Sequence, residues 1–429
     1  MMWNCVEADP FKKGAAYFVG TRYKLDDYTP YIYKTEDYGK TWKRITNGIP
    51  SLHFTRALRA DPLRAGLLYA GTEFGMYISF DDGASWRPFQ LNLPVVPITD
   101  LTIKENDLIV ATQGRSFWVL DDLSVLQQAE AGILAKSLHV FRVHPVYRMK
   151  TGGRGFRMGA PRNAGANPPP GMVLPFYVQG ATDSTKASID ILDSRKNLVR
   201  SFSTGGRDRL ELKNGLNRFN WNLQYPGSEP AEGMVLWNGV PGAITAPPGT
   251  YYARVKVGKD SAEVAFMVMA DPTYSITQAD YEAQFELLRA IQKKFNDVQK
   301  GIKDIRALRT QVQDFVTRQG KDCPAEIREM ANALTKELTA IEEALYQTKA
   351  KSSQDVLNYP IRLNDKLAGL FGVVNSGMNA PSQQARDVYA DLGAQADVQL
   401  NRLKKIITDD VPKFNQLIRD KQLPVISVK

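Results

Sequence analysis

Acidic side chains in the first part of the chain are the residues whose type could carry out hydrolysis. Cleavage of a glycosidic bond needs two positioned carboxyl groups, about 5 to 10 Å apart. Residues 1–126 supply Glu73, Asp81, Asp82, Asp100, Asp121 and Asp122. Only Glu73, in the segment GTEFG before an outer strand, is a candidate catalytic acid, and a structural or solvated role is favoured even for this residue.

Other kinds of catalytic chemistry have few suitable residues. His53, His139 and His144 show no HExxH or ExxH spacing, so neither a metal site nor a Ser-His-Asp triad is indicated. Cys5 and Cys323 lie far apart, which excludes a CxxC zinc site and a disulfide framework. We therefore expect no metal and no cofactor.

Composition and charge indicate a packed protein of several domains. The 429 residues are 43% hydrophobic and 24% charged, with no apolar run near the roughly 18 residues of a membrane helix. The net charge of +9 is concentrated: thirteen Lys/Arg stand against five Asp/Glu between Arg142 and Lys213. A solvated connector is favoured here over a polyanion-binding patch, and no nucleic-acid-binding signature is present.

An eight-residue motif occurs twice, as TEDYGKTW and SFDDGASW, 44 residues apart. Its aspartate can accept hydrogen bonds from turn amides, its glycine supplies backbone freedom, and its tryptophan can pack back onto a sheet. We interpret these aspartates as structural and predict that both tryptophans are buried. The positions concerned are Thr35, Asp37, Gly39 and Trp42, with Ser79, Asp81, Gly83 and Trp86.

The repeat spacing predicts β-propeller blades of four short strands. YFVGT aligns with LYAGT upstream of the motifs, and a degenerate third unit places Phe117 on Tyr77. A closed propeller needs about four to eight blades, and residues 1–126 hold at most three. We therefore expect the partner of this part to be missing N-terminal blades, which is simpler than blades supplied by another protein.

The rest of the chain predicts three further parts. Residues 127–170 read as a basic Gly/Pro linker, which includes Lys150, Arg154, Arg157 and Arg162. Residues 171–272 alternate like the strands of an Ig- or fibronectin-like β-sandwich. Residues 275–429 predict an all-α helical bundle, with a capping box at Thr277 and Asp280 and an apolar stripe from Phe285 to Phe315. We expect this bundle to be an independent unit that buries the stripe within the chain rather than in a dimer.

The segments ALRADPLRAGLLYAGTEFGMYISFDDGASW, NGLNRFNWNLQYPG and APPGTYYARVKVG together resemble large bacterial BNR-repeat (Asp-box) proteins, often labelled glycosyl hydrolase-like or sortilin-like. The resemblance implies that this chain is the C-terminal part of an exported, extracellular or periplasmic protein. The family usually shows Ala-Thr-His-Gly-Arg where this chain has Gln113, which cannot take a proton in place of histidine. Gln113 and Arg115 are therefore candidate rim positions for binding a ligand.

Two functions remain open at this point. In the first, the chain is a non-catalytic binding and scaffolding portion that holds a peptide or glycan ligand. In the second, it is part of a glycoside hydrolase, sialidase-like or related, whose active site lies mainly in missing N-terminal blades. Arg56, Arg59 and Arg115 could contribute to a sialidase arginine cluster, but the Arg-Ile-Pro motif of that family is absent. No nucleic-acid partner and no membrane span are expected.

Overall fold

The chain consists of five β-sheets followed by long helices, in a computed structural model that describes residues 1–149 and 165–424. The first eleven strands are β1 (Met2–Ala8), β2 (Ala16–Arg22), β3 (Asp27–Thr35), β4 (Lys43–Arg44), β5 (Thr55–Ala60), β6 (Leu68–Thr72), β7 (Gly75–Ser79), β8 (Arg87–Pro88), β9 (Ile98–Lys104), β10 (Asp107–Thr112) and β11 (Phe117–Leu120). The next eight are β12 (Leu138–Val140), β13 (Val146–Arg148), β14 (Met172–Val178), β15 (Ala187–Leu192), β16 (Leu198–Ser203), β17 (Gly215–Trp221), β18 (Gly249–Val257) and β19 (Asp260–Ala270). The α-helices are α1 (Ser124–Gln127), α2 (Gln278–Gln319), α3 (Ala325–Leu345), α4 (Leu363–Val374), α5 (Gln383–Lys405) and α6 (Val411–Asp420).

The first three sheets are stacked like consecutive blades of a β-propeller. Sheet 1 is β1-β2-β3-β4, sheet 2 is β5-β6-β7-β8 and sheet 3 is β9-β10-β11, all antiparallel. One apolar cluster lies between sheets 1 and 2, and a second lies between sheets 2 and 3. The first strand of each sheet lies beside the first strand of the next. Sheets that stack face to face with their first strands together are arranged as successive propeller blades.

Two details of the repeat alignment are wrong by one residue. Phe18 pairs with Tyr33 as Ala70 pairs with Tyr77, so Phe18 takes the position of Ala70. In sheet 3, Phe117 is 75% exposed, and Trp118 packs instead against the core shared with sheet 2. The cause is the same in both units, because these hairpins are longer than the tight Thr72–Gly75 connection and shift the following strand.

Two more sheets, β12-β14-β17 and β13-β19-β18-β15-β16, contribute to one core that contains the fully buried Trp221. Their topology shows two packed sheets, and the Ig or fibronectin type stays a prediction. The described part of the predicted linker is not a plain connector. β12 pairs with β14 and β13 runs parallel to β19, because Leu138 and Val146 pack against the core. The basic positions from Lys150 to Arg162 lie outside the described residues.

Helix α2 confirms the predicted cap and stripe. Thr277 and Asp280 form the capping box. The stripe is buried except for the half-buried Phe285, and its other members are Leu288, Ile291, Phe295, Val298, Ile302, Ile305, Val312 and Phe315. At 42 residues the helix is about 63 Å long, so its stripe must be covered along several helical turns. No helix in the described residues is long and apolar enough to cross a membrane.

The helices and the two sheets that precede them share a single hydrophobic core. Buried glutamines of α2 add polar contacts to the segment between β17 and β18. Gln292 donates to the carbonyl oxygens of Pro226 and Gly242, at 3.0 and 3.2 Å, and Gln299 accepts from the amide of Ala231 at 3.0 Å. The independence of the helical unit stays a prediction, but its apolar stripe is not covered by helices alone.

Candidate functional site

The aspartates of the two repeated turns are engaged within their own turns. Asp37 accepts hydrogen bonds from the amide and hydroxyl of Thr41, at 2.9 and 2.6 Å. Asp81 accepts the same pair from Ser85, at 2.8 and 2.5 Å. Each carboxylate also accepts from the hydroxyl that opens its motif. Short polar side chains that bond to nearby backbone amides stabilise turns of this kind.

The motif glycines adopt a backbone conformation that other residues rarely take. Gly39 and Gly83 both have φ of 81°, and the amide of each donates to the hydroxyl of Thr35 or Ser79 at 2.9 Å. A Cβ atom on Gly83 would lie 2.5 Å from the Ile45 side chain of sheet 1. Gly83 is therefore required both by its φ and by the close approach of the neighbouring sheet.

These hydrogen bonds favour the ionised carboxylates. Hydrogen bonds from Thr41 lower the pKa of Asp37 below its usual value. Burial raises the pKa of Asp81, but the hydrogen bonds from Ser85 and Ser79 outweigh it, so the net pKa of Asp81 is lowered. A structural role for both residues stays a prediction, and the lowered pKa gives it a pH-dependent test.

We expect Asp81→Asn to lower the free energy of unfolding by about 0.5–2 kcal/mol near neutral pH, because asparagine has one acceptor oxygen where the carboxylate uses two. A folded-state pKa below the unfolded value contributes stability above about pH 4, and this contribution is lost as the pH falls through the folded pKa. The difference between Asp81→Asn and the parent should therefore shrink below about pH 4 in urea unfolding curves.

Asp26→Asn is the matched control for this experiment. Asp26 is exposed and has φ of 59°, a conformation that asparagine also tolerates. Its replacement should leave the unfolding curve within about 0.5 kcal/mol of the parent. Equal losses in the two variants would contradict a structural role specific to Asp81.

The expectation that both motif tryptophans are buried is right for Trp86 and wrong for Trp42. Trp86 is 3% exposed, and its indole donates to the carbonyl of Ile45 in the preceding sheet at 2.8 Å. Trp42 is 42% exposed, and its indole bonds to Gly39 in its own turn at 3.0 Å. The physical reason is that sheet 1 covers Trp86, whereas no described sheet covers Trp42.

A polar cleft of about 500 Å³ lies where the first strands of the three sheets meet. Strands β1, β5 and β9 bring Glu7, Arg59 and Asp100 together there. Arg59 contacts Asp100 at 2.9 Å and Glu7 at 3.7 Å, and its guanidinium also lies 3.0 Å from the sulfur of Cys5. We call Cys5, Glu7, Arg59 and Asp100 the inner-strand cluster.

The inner-strand cluster contains one carboxyl group with a raised pKa. Burial raises the pKa of Glu7, and this outweighs the amide of Ala60 and the guanidinium of Arg59, which both act to lower it. Asp100 adds a like charge that also raises it. The sequence gives only weak signals for this cluster, because its members lie on three strands that no motif connects. The one local signal is the alternation in β1, which puts Cys5 and Glu7 on the same face of the strand.

Glu73 lies in the β6–β7 hairpin and forms an ion pair with Arg56 at 2.5 Å. The Arg56 guanidinium also lies over the ring of Phe54, 5.1 Å from its centroid. Glu73 is thus neutralised by a neighbouring cation rather than presented beside a second acid.

Gln113 occupies the equivalent hairpin of sheet 3, as the alignment predicts. The amide of Gln113 donates to the carbonyl oxygen of Pro97, and the amide of Glu73 donates to the carbonyl oxygen of Phe54. Pro97 and Phe54 each lie just before the first strand of their sheet. Arg115 follows in the same hairpin, where its guanidinium bonds to the carbonyl of Gly114. Both Gln113 and Arg115 are exposed, and no hydrogen bond or ion pair of the described residues joins them to Glu73.

No group of three or more His, Cys, Asp or Glu side chains in the described residues is placed to hold a metal ion. The charged side chains of the inner-strand cluster are the carboxylates of Glu7 and Asp100 and the guanidinium of Arg59. Such a set can bind a polar ligand through charge-assisted hydrogen bonds.

The sequence matches no protein-family model and no curated protein. Solved structures with similarity include an ancestral GH74 enzyme, 21% identical over 27% of this chain and 14% of that chain, with a TM-score of 0.22. Another is YCF48 bound to D1 peptide, 12% identical over 62% of this chain and 66% of that chain, with a TM-score of 0.22. A third is the GH74 xyloglucanase from Xanthomonas campestris, 14% identical over 61% of this chain and 38% of that chain, with a TM-score of 0.24. The matched part of this chain thus spans from 14% to 66% of the length of these proteins.

Proposed function

We propose that this chain is the non-catalytic binding and scaffolding portion of an exported Asp-box (BNR-repeat) propeller protein. The observation that carries the proposal is the outward face of sheet 1. Val6 and Trp42 are 72% and 42% exposed there, whereas their counterparts on sheet 2, Leu58 and Trp86, are 0% and 3% exposed. The same positions are buried when a sheet precedes them, so this face fits a further blade.

The outward face of sheet 1 has the composition of an interface. The Phe18 ring lies 4.6 Å from Trp3, 5.0 Å from Tyr33 and 4.6 Å from Trp42. Contiguous exposed aromatic side chains of this kind mark interaction surfaces. The partner in this proposal is an N-terminal blade of the parent protein. The two sheets after the propeller part, proposed as an Ig- or fibronectin-like sandwich, and the helices form the body that supports the blades.

The inner-strand cluster is the place proposed for a peptide or glycan ligand, in an extracellular or periplasmic setting. The acids of the cluster support binding over catalysis, because Asp100 and Glu7 both lie against Arg59. Glu73, outside the cluster, lies against Arg56. Glycoside hydrolysis requires one acid that carries a proton and a second that acts as nucleophile or base. The Arg59 guanidinium acts to lower the pKa of Glu7, although burial outweighs it.

The alternative, part of a glycoside hydrolase, is favoured by one observation. Burial raises the pKa of Glu7, which is the shift a general acid requires. In this case Glu7 would be the proton donor, and the second carboxylate would come from Asp100 or from a further blade.

We expect the chain to show no turnover of aryl-glycoside substrates above a buffer blank, because both carboxylates that line the cleft, Glu7 and Asp100, lie against Arg59. Glu73→Gln and Glu7→Gln should give the same background rate of hydrolysis as the parent, with Asp26→Asn as the matched control. Measurable hydrolysis that is abolished by Glu7→Gln or Glu73→Gln, with an unchanged melting temperature, would establish the hydrolase and end the scaffolding proposal.

A further inference from the structure

A cationic cavity lies on the helical part of the chain, remote in sequence from the propeller sheets. Its volume is about 490 Å³, within the size range of small-ligand pockets. Arg306 and Arg309 of α2 and Lys351 after α3 line it, together with Thr339 and Tyr346. We call the space that these residues line the α2–α3 cavity.

A buried carboxylate holds the two arginines in place. Glu342 of α3 is 3% exposed, and its two oxygens lie 2.7 Å from Arg306 and 2.7 Å from Arg309. Arg306 is fixed further by the carbonyl of Glu232 at 2.7 Å. An arginine whose position is already set loses less conformational freedom when it binds a ligand.

The cavity keeps an excess of positive charge after this pairing. Three cations face one carboxylate, so the net charge of the lining is +2. In the described residues, no hydrogen bond engages Nε or Nη2 of Arg309, and no acidic group pairs with the ammonium of Lys351, whose backbone amide donates to Asp355 at 2.6 Å. The fixed guanidinium forks therefore retain donors with no protein acceptor.

Free guanidinium donors in a fixed fork match the oxygens of a tetrahedral anion, to which arginine binds through paired hydrogen bonds. The ammonium of Lys351 extends the same donor set, whereas the hydroxyl of Thr339 already donates to the carbonyl of Thr335 at 2.8 Å. We propose that the α2–α3 cavity binds a tetrahedral oxyanion, a phosphate or sulfate group, either as a free ion or as an ester on a larger ligand. Glu342 is a positioning residue in this site.

Isothermal titration calorimetry of the full chain with inorganic phosphate, at constant ionic strength, tests the proposal. We expect saturable binding with one site per chain. Arg309→Gln should weaken it by about tenfold or more, because a charged donor pair is lost. Lys351→Gln should weaken it by a smaller factor, and this exposed position is unimportant for folding.

Lys349→Gln is the matched control, because Lys349 is an exposed lysine two residues away that does not line the cavity. Its affinity for phosphate should equal that of the parent. A second titration with glucose 6-phosphate separates the two sources of the anion: tighter binding than phosphate assigns the cavity to an ester ligand, and equal binding assigns it to the free ion. Absence of binding, or equal loss in Lys349→Gln and Lys351→Gln, would overturn the proposal and leave Glu342 as a brace between α2 and α3.

Discussion

Replacement of Trp86 with alanine is expected to lower the free energy of local unfolding of sheets 1 and 2 by about 3–5 kcal/mol, which is the usual effect of deleting a large side chain from a core. Trp86 is 3% exposed and lies in the apolar cluster between these sheets. Its loss removes ring contacts from both sheets and leaves the carbonyl of Ile45 without its indole donor. Hydrogen exchange of the slow β5 and β6 amides should accelerate by more than about 100-fold.

Trp42→Ala is the control built into the repeat. Trp42 holds the same motif position but is 42% exposed, and it packs mainly on Phe18 of its own sheet. We expect a loss of about 1 kcal/mol or less, because little apolar surface leaves contact. Similar losses at the two positions would show that each tryptophan acts within its own turn, and would contradict the view that a preceding blade makes the difference.

This contrast also shows how far the sequence predicts the propeller part. The motif predicts the turn, since Asp37, Asp81 and both glycines make bonds inside eight residues. The burial of a tryptophan depends on what lies across the next interface, which the motif does not encode. For this reason Trp42 and Trp86, which hold the same position of the motif, differ in exposure.

The inner-strand cluster could not be predicted for a similar reason. Glu7, Arg59 and Asp100 are separated by more than 40 positions each, and they meet only because three first strands lie side by side. Glu73 stood out in the sequence because it lies in GTEFG just before an outer strand, but Arg56 pairs with it across the same sheet. Local patterns thus identify acids, whereas their partners depend on the stacking of the sheets.

The helical part was predicted more completely, because its signals are local. The cap at Thr277 and the stripe of α2 follow from residues within one helix. The sequence predicts that the stripe is buried within the chain, and α4 does pack against α2. The polar contacts from the segment before β18 were not predictable, because that segment is distant in sequence. Asp365 of α4 accepts further hydrogen bonds from the same segment and makes the shared core testable.

Asp365→Ala is expected to lower the free energy of unfolding of the helices by about 3–5 kcal/mol, because several hydrogen bonds to one buried, charged acceptor are lost together. Asp365 is 4% exposed and accepts from the amides of Trp237 and Asn238, at 2.8 and 2.9 Å. The Asn238 side chain donates to it as well, at 2.9 Å. Urea unfolding followed by far-ultraviolet circular dichroism measures this loss, since the helices dominate that signal.

The size of this loss decides whether the helices form an independent unit. Asp391→Ala on α5 is the control, because Asp391 is exposed and, within residues 1–149 and 165–424, its one hydrogen bond comes from Gln395 one turn away. A change within about 0.5 kcal/mol is expected there. If Asp365→Ala unfolds like the control, the segment before β18 adds nothing to helix stability and the bundle stands alone. A large loss confined to Asp365→Ala means instead that the helices and the two preceding sheets unfold as one body, as their common core requires.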